Sequence, residues 1–379
     1  MIYADANGSL PLLPEVRAYL SDRIPAPLFG NPNAIHSLGT KLAAGLERSR
    51  AIAAEALGAK ASQLSWCSGA SEAISTVLQH HLLPPTDRRV IYASPIEHAA
   101  VLSALAYYQN TWGFELRWMP VSPSGLLDLP WLERQDFSST ALVVAMAANN
   151  ETGVVQPWEG IRDLARAKAV PFLCDTTQII GRVPFHFEDS GLDFAMASGH
   201  KLGALPGSGL LLARDPGALR PLIFGGGQEK GLRGGTQNYI GAETIAVALS
   251  GLNEKLARIP TLNQWRAELE AQLPASAVVI GRDHDRLPGT MLIGNPGLHG
   301  QAVQIELEAQ NIFVTTSSAC SDNEPATSKV LRAMGVDDRL GRSVIRASLP
   351  LSATHADYLA LTRGITSAFL KLDHLRTSP

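Results

Sequence analysis

Polar side chains that can do chemistry follow four short apolar segments of this sequence. They supply carboxylate, amide, imidazole and ammonium groups. A single group of this kind is usually a solvated loop residue, but four that meet at one edge of a sheet are typical of a ligand site. The four groups are Glu97-His98, Asn149-Asn150-Glu151, Asp175-Thr176-Thr177-Gln178 and Ser198-Gly199-His200-Lys201.

The apolar segments that precede these groups are predicted to be strands. Helical patterns such as Trp158 to Ala169 separate several of them. The alternation predicts βαβ units and a mostly parallel sheet covered on both faces, with ligands bound beyond the carboxyl ends of its strands. The predicted strands are Val90–Ala93, Leu142–Met146, Pro171–Cys174, Asp193–Ala197 and Gly209–Ala213.

The sequence changes in texture after Gly251, which predicts two domains. We expect a large α/β domain over residues 15–251 and a smaller α+β domain over residues 252–379, with residues 1–14 packing against the smaller one. A helix is predicted over Leu252 to Leu273. The last helix is predicted to begin after Thr354, an N-cap residue with Asp357 three positions on.

Composition excludes several functional classes. The 379 residues include 32 Lys and Arg against 35 Asp and Glu, a net charge of -3 that disfavours nucleic-acid binding. The apolar run from Ala141 to Ala148 is far shorter than the roughly 20 residues of a membrane-spanning helix. The first residues do not resemble a secretory signal, and three distant cysteines do not suggest a disulfide framework. We therefore expect a soluble cytoplasmic protein.

Two glycine-rich stretches are candidate anion sites. Gly69-Ala70-Ser71 at a predicted helix start suits a phosphate, although the same residues could be an ordinary serine N-cap. Gly225-Gly226-Gly227 and Arg233-Gly234-Gly235-Thr236 could add anion contacts or form a flexible loop only. Nucleotide fingerprints and the CxxC or HExxH spacing of metal sites are absent from the sequence, so no metal site is expected.

These motifs resemble a known family in their order and approximate spacing. The chain is similar to the pyridoxal-phosphate cysteine desulfurases of the NifS/IscS type, in the class V aminotransferase group of fold type I enzymes. The resemblance covers nearly the whole chain, and the Ser-x-Cys-Ser setting of Cys320 singles out the desulfurases. The other matching motifs are Tyr3-x-Asp5, Phe29-Gly-Asn-Pro32, Glu97-His98, Asn149-Asn-Glu-x-Gly153, Asp175-x-x-Gln178, Ser198-Gly-His-Lys201, Arg233-x-Gly-Thr236 and Ile345-Arg-Ala-Ser348.

The resemblance implies a role for each residue near the cofactor ring. Lys201 would hold pyridoxal 5'-phosphate covalently, and Asp175 would pair with the pyridine nitrogen and keep it protonated. Gln178 would donate to the ring phenolate oxygen, with Asn150 near that oxygen or the substrate carboxylate. His98 would stack on the ring and move protons.

The resemblance also implies which residues bind the cofactor phosphate and the substrate. Arg346 would grip the substrate carboxylate, together with Asn150, because its guanidinium offers a bidentate fork. Thr236 would reach the phosphate bound by the partner subunit, which makes a homodimer the expected assembly. The phosphate would otherwise be held by Ala70, Ser71, Ser198 and His200.

The implied reaction converts L-cysteine to L-alanine, with sulfur left as a persulfide on Cys320. Cys320 lies in a polar stretch that we expect to be exposed, whereas Cys67 and Cys174 read as buried small hydrophobes. The sulfur would pass to an acceptor protein for iron–sulfur cluster or thio-cofactor assembly. Two alternatives stay open: a related lyase acting on cystine or selenocysteine, and a non-catalytic sulfur-relay protein.

The N-terminal motif departs from the family. The family pattern Asp-x-x-Ala-Thr-Thr-Pro is replaced here by Asp5-Ala6-Asn7-Gly8-Ser9-Leu10-Pro11. In the family this loop approaches the active site. Two further departures are Gly69-Ala-Ser-Glu72 in place of Gly-Ala-Thr-Glu, and a short segment after the last helix.

Overall fold

The structure is a computed structural model that describes residues 1–316 and 327–375. Its strands are β1 (Ile2–Tyr3), β2 (Leu64–Cys67), β3 (Val90–Ala93), β4 (Glu115–Trp118), β5 (Thr140–Met146), β6 (Phe172–Asp175), β7 (Phe194–Ser198), β8 (Gly209–Ala213), β9 (Val278–Ile280), β10 (Thr290–Gly294), β11 (Ile312–Phe313), β12 (Thr315–Thr316) and β13 (Ile345–Ser348). Its helices are α1 (Pro14–Arg23), α2 (Ser37–Ala56), α3 (Ala70–Leu82), α4 (Ala99–Trp112), α5 (Leu129–Glu133), α6 (Trp158–Ala167), α7 (Phe187–Ser190), α8 (Gly199–Leu202), α9 (Tyr239–Leu249), α10 (Leu252–Leu256), α11 (Ile259–Ala271), α12 (Gly300–Glu308), α13 (Lys329–Ala333), α14 (Asp338–Gly341) and α15 (His355–Leu372).

A parallel sheet in the order β4-β3-β5-β6 confirms the predicted fold class. An antiparallel sheet in the order β2-β8-β7 continues it. Each predicted strand is present within two residues of its expected bounds. The mostly parallel α/β architecture predicted from the sequence is therefore the one observed.

The two sheets meet where β6 ends and β7 runs alongside. The Thr176 hydroxyl donates to the carbonyl of Met196 at 2.9 Å, and the Met196 amide donates to the same hydroxyl at 2.8 Å. A buried side chain therefore takes the place of a backbone ladder at this seam.

Both faces of the central strands are buried, as expected for a sheet between helices. Along β5, Val143 and Ala145 pack on one apolar cluster with α2, α6 and α9, while Leu142 and Val144 pack on another with α3 and α4. The alternation follows from the two-residue period of a strand. It explains why these strands read as continuous apolar runs.

The C-terminal part forms a separate antiparallel sheet in the order β12-β13-β10-β9. The chain's first strand joins this part of the molecule, because β1 pairs in parallel with β11. Helix α15 begins with the predicted capping box, in which Thr354 and Asp357 bond each other's backbone amides. The domain boundary at residue 251 stays a prediction.

The prediction of one helix over Leu252 to Leu273 is wrong. The structure has α10 and α11 with a break between them, and Pro260 lies in the first turn of α11. Proline lacks the amide that a continuous helix would need at this position, but it suits a helix start.

The helices of the described ranges include none long and apolar enough to cross a membrane.

Candidate functional site

The predicted polar groups lie at the carboxyl ends of the central strands. Asp175 is the last residue of β6 and pairs in register with Met146 of β5. Lys201 follows β7 in the short helix α8. Parallel strands end at a common edge, so the four sequence groups are brought to one edge of the sheet.

The Lys201 ammonium is held by the N-terminal loop. Its Nζ donates to the Asn7 carbonyl and, at 2.7 Å, to the Gly8 carbonyl. Burial and the charges of Arg182 and Arg346 together lower the pKa of Lys201 to about 7, although the carboxylates of Asp5 and Asp175 oppose the shift. A lysine with this pKa is largely a neutral nucleophile in mildly alkaline solution.

Two buried carboxyl groups lie at this edge of the sheet, those of Glu97 and Asp175. Burial and the charge of Asp175 raise the pKa of Glu97 to about 8. The Glu97 carboxyl accepts the Met146 amide at 2.5 Å, and its other oxygen has no partner among the described residues. Asp175 is also buried and accepts the Thr177 amide at 2.9 Å. A mostly protonated Glu97 therefore places no second charge beside Asp175 in neutral solution.

The two predicted histidines lie close to Lys201. His98 is exposed as a residue, yet the surrounding protein partly desolvates its imidazole. This desolvation and the charge of Lys201 lower the pKa of His98, while the charge of Asp175 opposes the shift. Its Nδ1 accepts the Ala100 amide at 3.1 Å at the start of α4. Burial also lowers the pKa of His200, with Lys201 and His98 adding to the effect. Both rings are therefore neutral in neutral solution.

The start of α3 is built to receive an anion. The Gly69 N-cap has no side chain that could bond the first-turn amides. The Ala70 amide donates to the Ser198 hydroxyl at 2.8 Å, which ties this helix start to the end of β7, and Ser71 is exposed beside it. Free amides at a helix N-terminus favour a phosphate.

The second glycine-rich stretch lies beside that helix start, but Thr236 itself is exposed. Arg233 pairs with Glu72 of α3 at 3.0 Å. Backbone also packs closely here, since a Cβ added to Gly225 would lie 2.6 Å from the Gly234 Cα. Thr236 is displayed on the surface of this chain.

Arg346 lies on β13 and reaches the same cleft. Its Nη1 donates to the Asn150 carbonyl at 3.1 Å, and its Nη2 donates to Asp5 at 2.6 Å. The Arg346 side chain is 10% exposed, and its Nε has no partner among the described residues. A guanidinium with an unpaired donor can bind a carboxylate ligand by donating hydrogen bonds to it.

Asn7 is a residue that the sequence did not single out. Its carbonyl accepts from Gln178 at 3.1 Å as well as from Lys201, and its side chain donates to the Asn150 carbonyl at 3.0 Å. The Arg182 guanidinium donates to its amide oxygen. The departure of the N-terminal loop from the family pattern was the only sequence signal for it.

Cys320 and the stretch around it lie outside the described residues. Of the other cysteines, Cys174 is buried in the core and Cys67 is partly covered. Burial raises the pKa of the Cys67 thiol to about 12 and that of Cys174 well above its usual range. Neither forms a reactive thiolate easily.

The residues present fit pyridoxal phosphate. A nucleophilic lysine, a buried carboxylate and an uncapped helix start lie at one edge, and the Gln178 Nε2 has a second hydrogen besides the one it donates to the Asn7 carbonyl. Together they offer a carbonyl anchor, a pyridinium partner and a phosphate cradle. Clusters of three or more metal-ligating side chains are absent from the described residues.

Known proteins match the chain over nearly its full length. The family model for class-V aminotransferases matches residues 2–361. Cysteine desulfurase 2 of Trichormus variabilis is 33% identical over 365 residues, which cover 94% of this chain and 90% of that protein. A solved NifS-like protein has a TM-score of 0.89 and 32% identity, covering 98% of this chain and all of its own. SspA, solved in complex with cysteine, has a TM-score of 0.81 and 27% identity over 93% of this chain and all of its own.

Proposed function

The chain belongs to the class-V aminotransferase family, and we propose that it is a pyridoxal-phosphate-dependent cysteine desulfurase that moves sulfur from L-cysteine to Cys320. The observation that carries the proposal is the meeting of Lys201, Asp175 and Gln178 at one sheet edge, in a chain similar to named desulfurases. A relative of the same fold was solved with cysteine, which supports this amino acid as the substrate.

The bound cofactor supplies an electron sink for the bonds around the substrate Cα. Lys201 would anchor it, because an amine with a pKa of about 7 has a free lone pair under mild conditions. Asp175 would hold a proton at the ring nitrogen, and a neutral Glu97 beside it would avoid a second competing charge. Gln178 would donate an amide hydrogen to the ring oxygen.

The substrate is held and turned over by other side chains. Arg346 binds the α-carboxylate, aided by Asn150. His98 and Lys201 would move protons to and from the substrate Cα, because their lowered pKa values keep a neutral base available at neutral pH. The Cys320 thiolate then attacks the substrate sulfur, and the electron pair of the broken C–S bond stays on the substrate carbon, which is protonated on the way to alanine.

We propose a homodimer in which Thr236 contacts the phosphate held by the partner subunit. The exposure of Thr236 supports this role, and so does the 80% exposed Phe224 nearby in the sequence, an apolar side chain that a second subunit would cover. Mixing chains that lack Lys201 with chains that lack Thr236 should restore activity in a fraction of sites, and a fully active monomer would contradict the dimer.

The proposed setting is the cytoplasm, with a sulfur-acceptor protein serving iron–sulfur cluster or thio-cofactor assembly. The two described cysteines are free thiols, as is usual in reducing compartments.

Cys320→Ser tests the proposal directly. The variant should retain the cofactor and bind L-cysteine, yet form alanine at least about a hundredfold more slowly, because serine cannot accept the sulfur as a persulfide. Mass spectrometry after a short cysteine pulse should locate the added sulfur on Cys320 of the unaltered enzyme.

Cys67→Ala and Cys174→Ala are matched controls and should keep the persulfide, since both thiols resist ionisation. Normal alanine release by Cys320→Ser would instead identify a lyase of the same family.

A further inference from the structure

Asp5 holds the one nitrogen of Arg346 that a carboxylate ligand needs most. A guanidinium offers two forks to an incoming carboxylate, one from Nε and Nη2 and one from Nη1 and Nη2. Nη2 belongs to both forks, and it is the atom that donates to Asp5 Oδ1 at 2.6 Å. Nη1 donates one of its two hydrogens to the Asn150 carbonyl. Asp5 therefore occupies a hydrogen of the nitrogen that both forks share, and a carboxylate ligand that takes the fork at which Asp5 lies has to displace it.

Gly8 makes this arrangement possible. A Cβ built on Gly8 would lie 2.5 Å from Asp5 Oδ2 and 2.8 Å from Oδ1, which is too close for any real contact. The Gly8 backbone is outside the left-handed region, so alanine can adopt its conformation. An alanine here would displace the Asp5 carboxylate and leave the turn itself intact.

The loop around the pair is otherwise well fixed. The Gly8 and Ser9 amides both donate to the Asp5 carbonyl, and the Tyr3 hydroxyl donates to the Ser9 carbonyl at 2.6 Å. The Asp5 side chain is 29% exposed, while that of Arg346 is 10% exposed. The carboxylate can therefore swing out to water while the backbone and the guanidinium stay in place.

We propose that Asp5 is a specificity-determining residue that competes with the substrate carboxylate for Arg346, and that Gly8 permits this competition. The inference rests on the proposed role of Arg346 in substrate binding. Substrate binding then exchanges the Asp5 carboxylate on Arg346 for the substrate carboxylate. The exchange lowers the affinity for a carboxylate ligand, compared with an Arg346 that has no competitor. A ligand without a carboxylate does not displace Asp5.

The probe for this exchange is 3-mercaptopropionate, which has the thiol and carboxylate of the substrate but no amine. Its dissociation constant from the holoenzyme is measured by calorimetry, with 3-mercaptopropionamide as the uncharged control ligand. Asp5→Asn and Gly8→Ala should each tighten binding of the acid by roughly tenfold, because Arg346 loses a charged competitor. Binding of the amide should not change. The KM for L-cysteine should fall in the same variants in which the dissociation constant of the acid falls.

The double variant distinguishes competition from general disturbance. If Gly8→Ala acts only by displacing Asp5, the double variant binds the acid no more tightly than Asp5→Asn alone. Additive effects, or unchanged or weaker binding in Asp5→Asn, would overturn the proposal.

Arg346→Ala separates this inference from the proposed function. It should weaken binding of the acid at least tenfold and abolish the response to Asp5→Asn. Binding that survives the loss of Arg346 would refute the carboxylate role itself. Binding that is lost with Arg346 but insensitive to Asp5 and Gly8 would refute only the competition.

Discussion

Two arginine–carboxylate pairs of this molecule have opposite designs. Arg50 donates to both oxygens of Glu229, at 2.7 and 3.0 Å, and to the Leu64 carbonyl. Glu229 also accepts the Trp66 amide at 2.8 Å, and its side chain is 1% exposed. Arg346 makes one contact with a partly exposed Asp5 and keeps an unpaired Nε.

The difference separates a structural pair from one that can exchange. Every available oxygen of Glu229 is engaged, and the residue sits at a positive φ of 48° that the pair helps to hold. Opening such a pair would strand a charge away from water. The Asp5 carboxylate is partly exposed, so it can leave Arg346 and be solvated by water. An arginine–carboxylate pair is therefore a replaceable contact at this position.

The largest effect is expected when the structural pair is broken. Glu229→Gln should lower the free energy of unfolding by about 3 kcal/mol, since Arg50 would remain buried without a full counter-charge. Urea denaturation followed by circular dichroism measures it.

Glu47→Gln is the matched control, because Glu47 also contacts Arg50 but is 61% exposed. It should cost less than about 0.5 kcal/mol. Equal losses in the two variants would contradict the distinction between the pairs.

A smaller effect is expected at the exchangeable pair, as a change in proton affinity at a neighbour. The Asp5 charge opposes the depression of the Lys201 pKa, which burial, Arg182 and Arg346 have lowered to about 7. Asp5→Asn should therefore lower that pKa further, so the neutral amine persists to lower pH. Cofactor attachment to the apoprotein should speed up roughly twofold to tenfold below pH 7 and stay unchanged well above it.

Glu229→Gln should leave this pH profile in place, because Glu229 is not among the charges that mainly shift the Lys201 pKa. A shift of the attachment profile toward higher pH in Asp5→Asn would contradict the stated sign.

The sequence predicted the strands and the groups that follow them, because local composition determines both. A short apolar run between helices marks a buried strand, and the polar residue after it marks the sheet edge. Lys201 and Asp175 were found in this way. The break in the helix after Gly251 was not predicted, because the helical pattern continues across it and Pro260 is the local sign of a new helix start.

The contacts of the N-terminal loop could not be predicted. Asp5 meets Arg346 across 341 positions of sequence, and Asn7 meets Lys201 across 194. Neither contact leaves a periodic or local signal, since each depends on how β1 pairs with β11 and how β13 enters the sheet. The space that Gly8 leaves open is likewise visible only in three dimensions.

The Thr176 hydroxyl at the seam between the two sheets has a consequence for alignment. Asp175 precedes it directly and Lys201 follows the strand it bonds, so the lateral offset between these two groups depends on one oxygen atom with two hydrogen bonds. Valine has the same shape but would leave the Met196 amide and carbonyl unpaired. The Thr176 side chain therefore fixes the alignment of the two sheets rather than their stability. It sets how Asp175, at the end of one sheet, faces Lys201, which follows a strand of the other.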